Sequence, residues 1–556
     1  MKSTPSSREE LLVRLIGIPS VTQSPEENDA ALFIRDSLFR LAYFRENPSH
    51  LVLLPTPLEG DGRVLHSVIA RMMAPCPTAK TVVLVAHYDV VGVEAYGDLA
   101  ACAFDPARLA SEMGKDDAFS AGADEFLFGR GSMDMKCGLA LEMELLRDYD
   151  ADRELFDVNV VLVAVPDEEN TGCGMRGAVK YLAALKKSER LVYIAAIDTE
   201  PSEPGSPGAK NELVFLGSMG KLLPTFYCKG LPAHAGNYYR GLSAALISSN
   251  VVCLAEASAK LVDPCDGNGH PSWMCIEQRT LSEGYSVTVP SRSVAYFNCF
   301  LTTRTPSAVL EEMKEIARGA SARSLEHLRS SFAALRGKGY RAEAAPAVEI
   351  KTLTFSDLFE RAACAFADGA LPFSLHMDAF VEGLAAGDIR DRGIAFLEEL
   401  IRLSGVEAPF VAVGFLPPYN PRKSSLDGTP AGEVVLRASE RLVAEAWERF
   451  GVTLDREEFF AGISDLSFLG FSGTEADVKA ITDNFPGWGT LFSVPIADMI
   501  EIDMPVMNLG PKGHDAHERT ERLEKRYSLE ILPELLVFAI GALSEEWDEV
   551  MEVNAR

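Results

Sequence analysis

Between residues 80 and 200 the chain alternates two kinds of apolar pattern. TVVLVAH, VNVVLVAVP and RLVYIAAID are short, nearly continuous apolar runs; GLALEMELLRDY and GAVKYLAALKKS, between them, repeat their apolar positions at helical spacing. Alternation of this kind predicts an α/β fold, with a mostly parallel sheet covered by helices. Around 201–212 the chain turns rich in Pro, Gly and Ser (PSEPGSPGAKNE), which marks a boundary or the rim of a site. The next stretch, 218–335, reads as strand, long helix (Leu242 to Leu261), strand, strand (Ser286 to Leu301) and helix (Pro306 to Gly319), a self-contained α+β unit. From about 340 the mixed pattern resumes, with helices expected near 356–366 and 434–450. The expected organisation is therefore 1–217 and 336–556 as two parts of one domain, 218–335 as an inserted one, and a further insertion at about 340–455. At the start, Ser6 or Ser7 ahead of Glu9, Glu10 and an apolar stripe predicts a capped helix. There is no internal repeat, and only 317–346 is compositionally biased, toward alanine.

Composition narrows the class. With 556 residues and roughly 150 per domain as a prior, more than one core is expected. A content of 47% hydrophobic and 24% charged residues is that of a globular chain. No apolar run reads as the roughly 20 residues that span a bilayer, and the first residues lack a secretory pattern. The ten cysteines are scattered without a CxxC pair, which suits free thiols in a reducing cytoplasm. A net charge of −28 argues against nucleic acid or an anionic membrane as partner.

The candidate chemistry lies where the apolar runs stop. VVLVAHYD ends in His87 and Asp89, and residues two apart on a strand share a face. GRGSMDMKCG sets Asp134 in a glycine-punctuated turn before a helix. VPDEENTG puts Asp167, Glu168 and Glu169 after the second run, and IDTEPS puts Asp198 and Glu200 after the third. GPKGHDAHERTE carries His514 and His517 in a glycine-rich loop. Singly, each has a plain reading: a core histidine, a helix cap, a solvated acidic loop. Together they converge, because open α/β sheets gather ligands at the C-terminal ends of their strands. Clustered carboxylates repel unless cations neutralise them. A mixed His/carboxylate set suits zinc or a similar divalent ion, and a carboxylate can bridge two of them.

These motifs resemble the two-zinc amidohydrolases and exopeptidases that include aminoacylase, carboxypeptidase G, acetylornithine deacetylase and succinyl-diaminopimelate desuccinylase. The HERTER ending and the long 340–455 region look most like the bacterial arginine-utilisation branch. The resemblance implies two divalent ions, most readily zinc, with cobalt or manganese as alternatives. It implies His87, Asp134, Glu169, Glu200 and His517 as ligands, with Asp134 shared, Glu200 ahead of Asp198 and His517 ahead of His514. It makes Glu168 the general base and Asp89 the group that orients His87. GLPAHAGNYYRGLSAA resembles the motif of a lid and dimerisation domain whose histidine, here His234, reaches a neighbouring subunit's site. VTVPSRSVAYFNCFLTTRTP points to Arg304 as a clamp for a substrate carboxylate. The chain departs from the common pattern at Cys137, where glycine is usual, at Tyr238 and Tyr239, and in lacking Asn before Glu521.

The implied function is metal-dependent hydrolysis of an amide or peptide bond in a small amino-acid-derived or dipeptide-like substrate, in arginine catabolism, by a cytoplasmic homodimer. The alternatives are a deacylase of N-acyl amino acids unconnected with arginine, a single-metal hydrolase, and a catalytically silent binding protein on the same fold.

Overall fold

The computed structural model describes residues 3–58, 61–115, 123–201, 211–265, 268–269, 272–281, 284–339, 347–366, 372–460 and 462–554. The expected boundary at 201–212 falls almost wholly outside them.

The three apolar runs form adjacent parallel strands. Lys80–His87 lies between Asn159–Val165 and Val192–Asp198. Within Lys80–His87, Val82, Leu84 and Ala86 face one core, and Val83 and Val85 face another. That burial on both faces explains why the run carries no polar alternation. Helix Lys136–Ala151 covers one face and Cys173–Glu189 the other. Among the described residues the sheet has eight strands. Leu51–Pro57 and Val64–Met72 extend it past Asn159–Val165, and Val506–Asn508, Glu212–Phe215 and Leu454–Glu457 extend it past Val192–Asp198.

A second sheet of five strands runs Met274–Thr280, Arg292–Leu301, Gly220–Lys229, Phe410–Asn420 and Lys351–Thr354. It is antiparallel except for the last pair. The boundary expected at 335 does not exist as drawn. The alanine-rich stretch continues the helix, which runs Pro306–Gly337 rather than stopping at 319, because alanine is the best helix former. Beyond it, the region expected as an insertion divides. Lys351–Thr354 and Phe410–Asn420 join the second sheet, while helix Pro430–Phe450 returns to the first layer through Val434, Val435, Ala438 and Leu442.

Two smaller expectations also change. The N-terminal helix Pro5–Ile16 is capped by Thr4, with Ser7 completing the capping box, so the cap lies ahead of Ser6. Helix Tyr527–Asn554 is apolar and long enough to cross a membrane by length and composition, with a mean hydropathy of 1.5 over its best window. Most of that window is buried, and Leu532, Leu535, Leu536, Ala539 and Ile540 pack in the first core. At about 1.5–3 kcal/mol for each large apolar side chain removed from water, that packing accounts for the composition.

Candidate active site

Five strand-end and loop segments converge at the C-terminal edge of the parallel strands. His87 is buried at the end of its strand. Its Nδ1 lies 3.0 Å from the Asp89 carbonyl oxygen and 3.5 Å from Asp89 Oδ1. That contact turns Nε2 toward Asp134 Oδ1, at 3.2 Å, and Glu200 Oε1, at 3.3 Å. On the other side, His517 Nε2 is 3.1 Å from Asp134 Oδ2 and 2.9 Å from Glu169 Oε1. The Asp134 carboxylate thus presents one oxygen to His87, whose ring also faces Glu200, and the other to His517, whose ring also faces Glu169.

His87 Nε2 and Asp134 Oδ1 are close, yet neither completes a hydrogen bond. Buried polar atoms without partners are costly, and lone pairs aimed at a common point are the arrangement metal ligands adopt. The donor set fits two divalent ions sharing a carboxylate.

The electrostatics agree. Burial and the neighbouring carboxylate of Asp134 raise the Glu200 carboxyl well above its ordinary range. Burial, with Glu200, Asp465 and Glu169 nearby, does the same to Glu168. Burial opposes charge on Asp134, but His517 and His87 outweigh it and hold that carboxyl below the usual range. Hydrogen bonds to Asp134 and Glu169 raise His517 to about 11.

Local geometry explains why these residues converge. The Asp89 carboxylate is fully buried and holds the next loop: Oδ1 accepts the Glu168 N–H at 3.1 Å, and Oδ2 accepts the Glu169 N–H at 3.3 Å and the Thr22 hydroxyl at 2.9 Å. Its carboxylate is therefore spent chiefly on the Glu168–Glu169 loop, while its carbonyl sets the His87 ring. Asp167, just before that loop, and His517 itself both have left-handed backbone, with φ of 61° and 68°. Such conformations cost non-glycine residues about 1–3 kcal/mol and concentrate at functional sites. A Cβ at Gly510 would lie 1.7 Å from the Glu200 carbonyl oxygen, so only glycine lets the strand leading to His517 pass so close.

The structure separates the paired alternatives. Asp198 accepts its neighbour Thr199's N–H and lies beyond ion-pair distance of either site histidine, whereas Glu200 faces His87. His514 is exposed, its ring 6.0 Å from Phe126, away from the cluster. Arg304 is not available as a carboxylate clamp. Its guanidinium donates to the carbonyls of Leu261, Lys260 and Val262, and its Nε lies 3.3 Å from Glu312. It ties down the turn before the second sheet's outer strands. His234 is exposed, its Nδ1 accepting the Gly236 N–H, and it does not line the cavity of its own chain.

Sequence reasoning missed four residues. Arg130, beside the Tyr96 ring, pairs with buried Glu521 and donates to the His517 carbonyl at 2.9 Å; Glu521 also accepts the Met133 N–H at 3.2 Å. One ion pair therefore links the Asp134 turn to the His517 loop, and the arginine of GRG and the last acid of HERTE were its available signals. Asp465 is buried without a hydrogen bond to its carboxylate, and burial raises its pKa well above the ordinary value. Lys221 lines a cavity of about 290 Å3 with Asp134, Glu168, Glu200 and His517. A larger cavity of about 630 Å3 adjoins it through Glu169 and Asn170.

Fold and donor set together define a metal-dependent hydrolase. The sequence matches Peptidase family M20/M25/M40 over residues 83–538, and the chain belongs to that family. It is 32% identical over 548 residues to the uncharacterized protein YqjN of Bacillus subtilis (strain 168), covering 96% of each chain. It is 28% identical over 533 residues to protein RocB of the same organism, covering 95% of this chain and 93% of that one. A succinyl-diaminopimelate desuccinylase of Methylorubrum extorquens is 29% identical over 320 residues, 56% of this chain and 73% of its own. The fold is shared with the di-peptidase Dug1p of Saccharomyces cerevisiae, at a TM-score of 0.53 and 13% identity over 97% of this chain and 96% of that one. It is also shared with the metallo-carboxypeptidase Sso-CP2 of Sulfolobus solfataricus, at a TM-score of 0.52 and 12% identity over 97% and 99%. The chain is a metal-dependent peptidase or amidohydrolase.

Proposed function

We propose that the protein uses two zinc ions to hydrolyse an amide or peptide bond in a small amino-acid-derived substrate. The observation that carries this reading is the position of Asp134 between two histidines, one oxygen beside His87, which also faces Glu200, and the other beside His517, which also faces Glu169. His87, Asp134 and Glu200 would hold one ion, and His517, Asp134 and Glu169 the other. When bound, such ions acidify water and polarise the scissile carbonyl.

The chain's own residues do the rest. Glu168, held by its backbone on Asp89, takes the proton from the attacking water and delivers it to the leaving nitrogen. Its raised pKa suits a carboxyl that must release a proton as well as accept one. His234, exposed on the second layer, would reach the site of a neighbouring subunit in a homodimer and stabilise the developing oxyanion. Arginine-derived substrates are supported by likeness to the arginine-utilisation branch.

Metal analysis of the purified protein, with a hydrolysis screen over dipeptides and N-acyl amino acids including arginine derivatives, tests the reading. Two equivalents of metal and turnover abolished by chelation are expected. One equivalent or less, or no hydrolysis by the zinc-loaded protein, would overturn it.

A further inference from the structure

Helices Phe355–Ala365, Phe373–Gly383 and Ile389–Ser404 meet the turn at 482–490 and leave a cavity of about 450 Å3 between them. That volume is in the range of small-molecule sites. The cavity shares no lining residue with either of the two at the metal cluster. Its walls are apolar and largely aromatic. Phe355, Met377, Phe396 and Phe485 are buried, and Trp488 joins them from the turn, its ring centroid 5.6 Å from that of Phe485. Phe359, also in the lining, remains 44% exposed, apolar area that an occupant would cover.

Every charged residue that lines the cavity is an acid: Glu360, Asp378 and Asp483. Asp378 accepts the Thr490 hydroxyl at 2.8 Å, and Asp483 accepts that of Thr482 at 3.0 Å. These contacts leave lone pairs free on both carboxylates. Among the described residues, no Lys, Arg or His lies within ion-pair distance of the three acids. Carboxylates around an aromatic box complement one chemistry, a cation carried on an apolar body. The ring faces attract the positive charge and the acids pair with it. An anion would meet three like charges there, and a neutral molecule would leave them unused.

The cavity also has a physical link to the metal cluster. Phe396 and Leu400 line it, and earlier on the same helix Ile389 and Arg390 line the cavity of about 630 Å3 beside Glu169 and Asn170. Arg390 Nη2 lies 3.4 Å from Asn170 Oδ1. A displacement at Phe396 therefore moves a helix whose first turn touches the loop that carries Glu169.

We propose that this cavity is an effector site for an organic ammonium with an aromatic body, and that helix Ile389–Ser404 carries its occupation to the Glu169–Asn170 loop. The site does not rest on the hydrolase reading.

The probes are 2-phenylethylammonium and its neutral counterpart 2-phenylethanol, titrated calorimetrically into the wild-type protein. The ammonium is expected to bind at least about tenfold more tightly than the alcohol. Glu360→Gln with Asp378→Asn should bring the two within about threefold of each other and leave the affinity for the alcohol unchanged. Ser374→Trp, which fills the cavity from an exposed position, should abolish the binding of both. Equal affinity for the two probes in the wild type overturns the site. So does an ammonium preference that survives Glu360→Gln with Asp378→Asn, or binding that survives Ser374→Trp, since the cation is then held elsewhere. Amide hydrogen exchange reads the link. Saturating ammonium should slow exchange in the peptide spanning 168–173 by at least about twofold. Arg390→Met should remove that change while leaving the affinity for the probe as it was. Unchanged exchange in the wild type, or a change that persists in Arg390→Met, overturns the effector role. Neither readout needs metal or turnover, so failure of the hydrolase reading would leave both results standing.

Discussion

The Asp89 carboxylate accepts the backbone N–H of Glu168 at 3.1 Å, so the residue that follows one strand fixes the loop that follows its neighbour. The same carboxylate accepts from Glu169 and Thr22. Both oxygens are acceptors, and an asparagine in this place must turn its amide N–H toward at least one donor. Asp89→Asn is expected to lower kcat/KM by about 10- to 100-fold, the scale seen when outer partners of a metal site are lost. Steady-state kinetics with metal analysis on the same sample check this; unchanged kcat/KM would remove Asp89 as the positioning group.

Glu168 lies beside His87 and Glu200, close enough that its carboxylate has the reach of a ligand as well as of a base. Glu168→Gln separates these roles, because the amide keeps the shape and loses the proton chemistry. Turnover is expected to fall by about 100- to 10,000-fold with two metals retained. Loss of one metal in this variant would make Glu168 a ligand instead.

Much of this site was legible because strands buried on both faces stop abruptly at their ligands. His87, Glu168, Glu169 and Glu200 each stand within a few residues of the end of such a run. Spacing alone left Asp198 against Glu200 and His514 against His517. Asp198 and Glu200 are two apart, and alternation gives such residues the same side. The motif likeness chose Glu200 and His517, and the structure brings those two to the cluster. Arg304 was misread because its partners are backbone carbonyls at 260–262, and no residue type advertises a free carbonyl. Lys221 escaped notice because its nearness to the cluster is a matter of strand register between distant segments. The helix expected to stop at Gly319 runs on to Gly337 because the alanine-rich stretch after it favours helix.

Stability should depend on pH with a sign set by the buried acids. Burial raises Asp198 from 3.8 to about 7 and raises Glu168 and Glu200 well above their ordinary range; His87 and His517 are raised as well. Every one of these groups binds its proton more tightly when folded. Their contribution is therefore full below the unfolded pKa and is lost as pH rises toward the folded one. Asp134, held low, acts oppositely, but only below about pH 4. Chelated protein is expected to lose thermal stability steadily from about pH 5 to pH 8. Divalent metal should restore it increasingly with pH, by up to about 4 kcal/mol at a thousandfold excess over Kd. Melting curves with chelator and with zinc across that range measure the effect, and a stability of the chelated form that rises with pH would contradict it.

Gly510 has no room for a side chain. A Cβ would meet the Glu200 carbonyl oxygen at 1.7 Å and the Thr199 carbonyl carbon at 3.0 Å, both backbone atoms that move only with their strand. Gly510→Ala should cost about 1–3 kcal/mol from overpacking, and it should weaken metal binding because the displaced segment carries Glu200. Chemical denaturation and zinc titration together check both; a destabilised protein with wild-type zinc affinity would confine the effect to packing.

The Arg130–Glu521 pair offers a way to separate stability from site geometry. Both side chains are buried, and between them they reach the His517 carbonyl and the Met133 N–H. Removing one charge leaves the other buried and alone, so Glu521→Gln is expected to cost about 3–5 kcal/mol. Replacing the pair together, as Arg130→Met with Glu521→Leu, removes both charges and should recover much of that loss, since a buried pair is often matched by apolar residues of similar volume. The two backbone groups would still lose their partners, so His517 and the Asp134 turn would no longer be tied to one another. The double variant is thus expected to regain stability while keeping a metal affinity about 10- to 100-fold below wild type. Recovery of stability and affinity together would show that the pair serves folding alone, and that His517 is placed by its own loop.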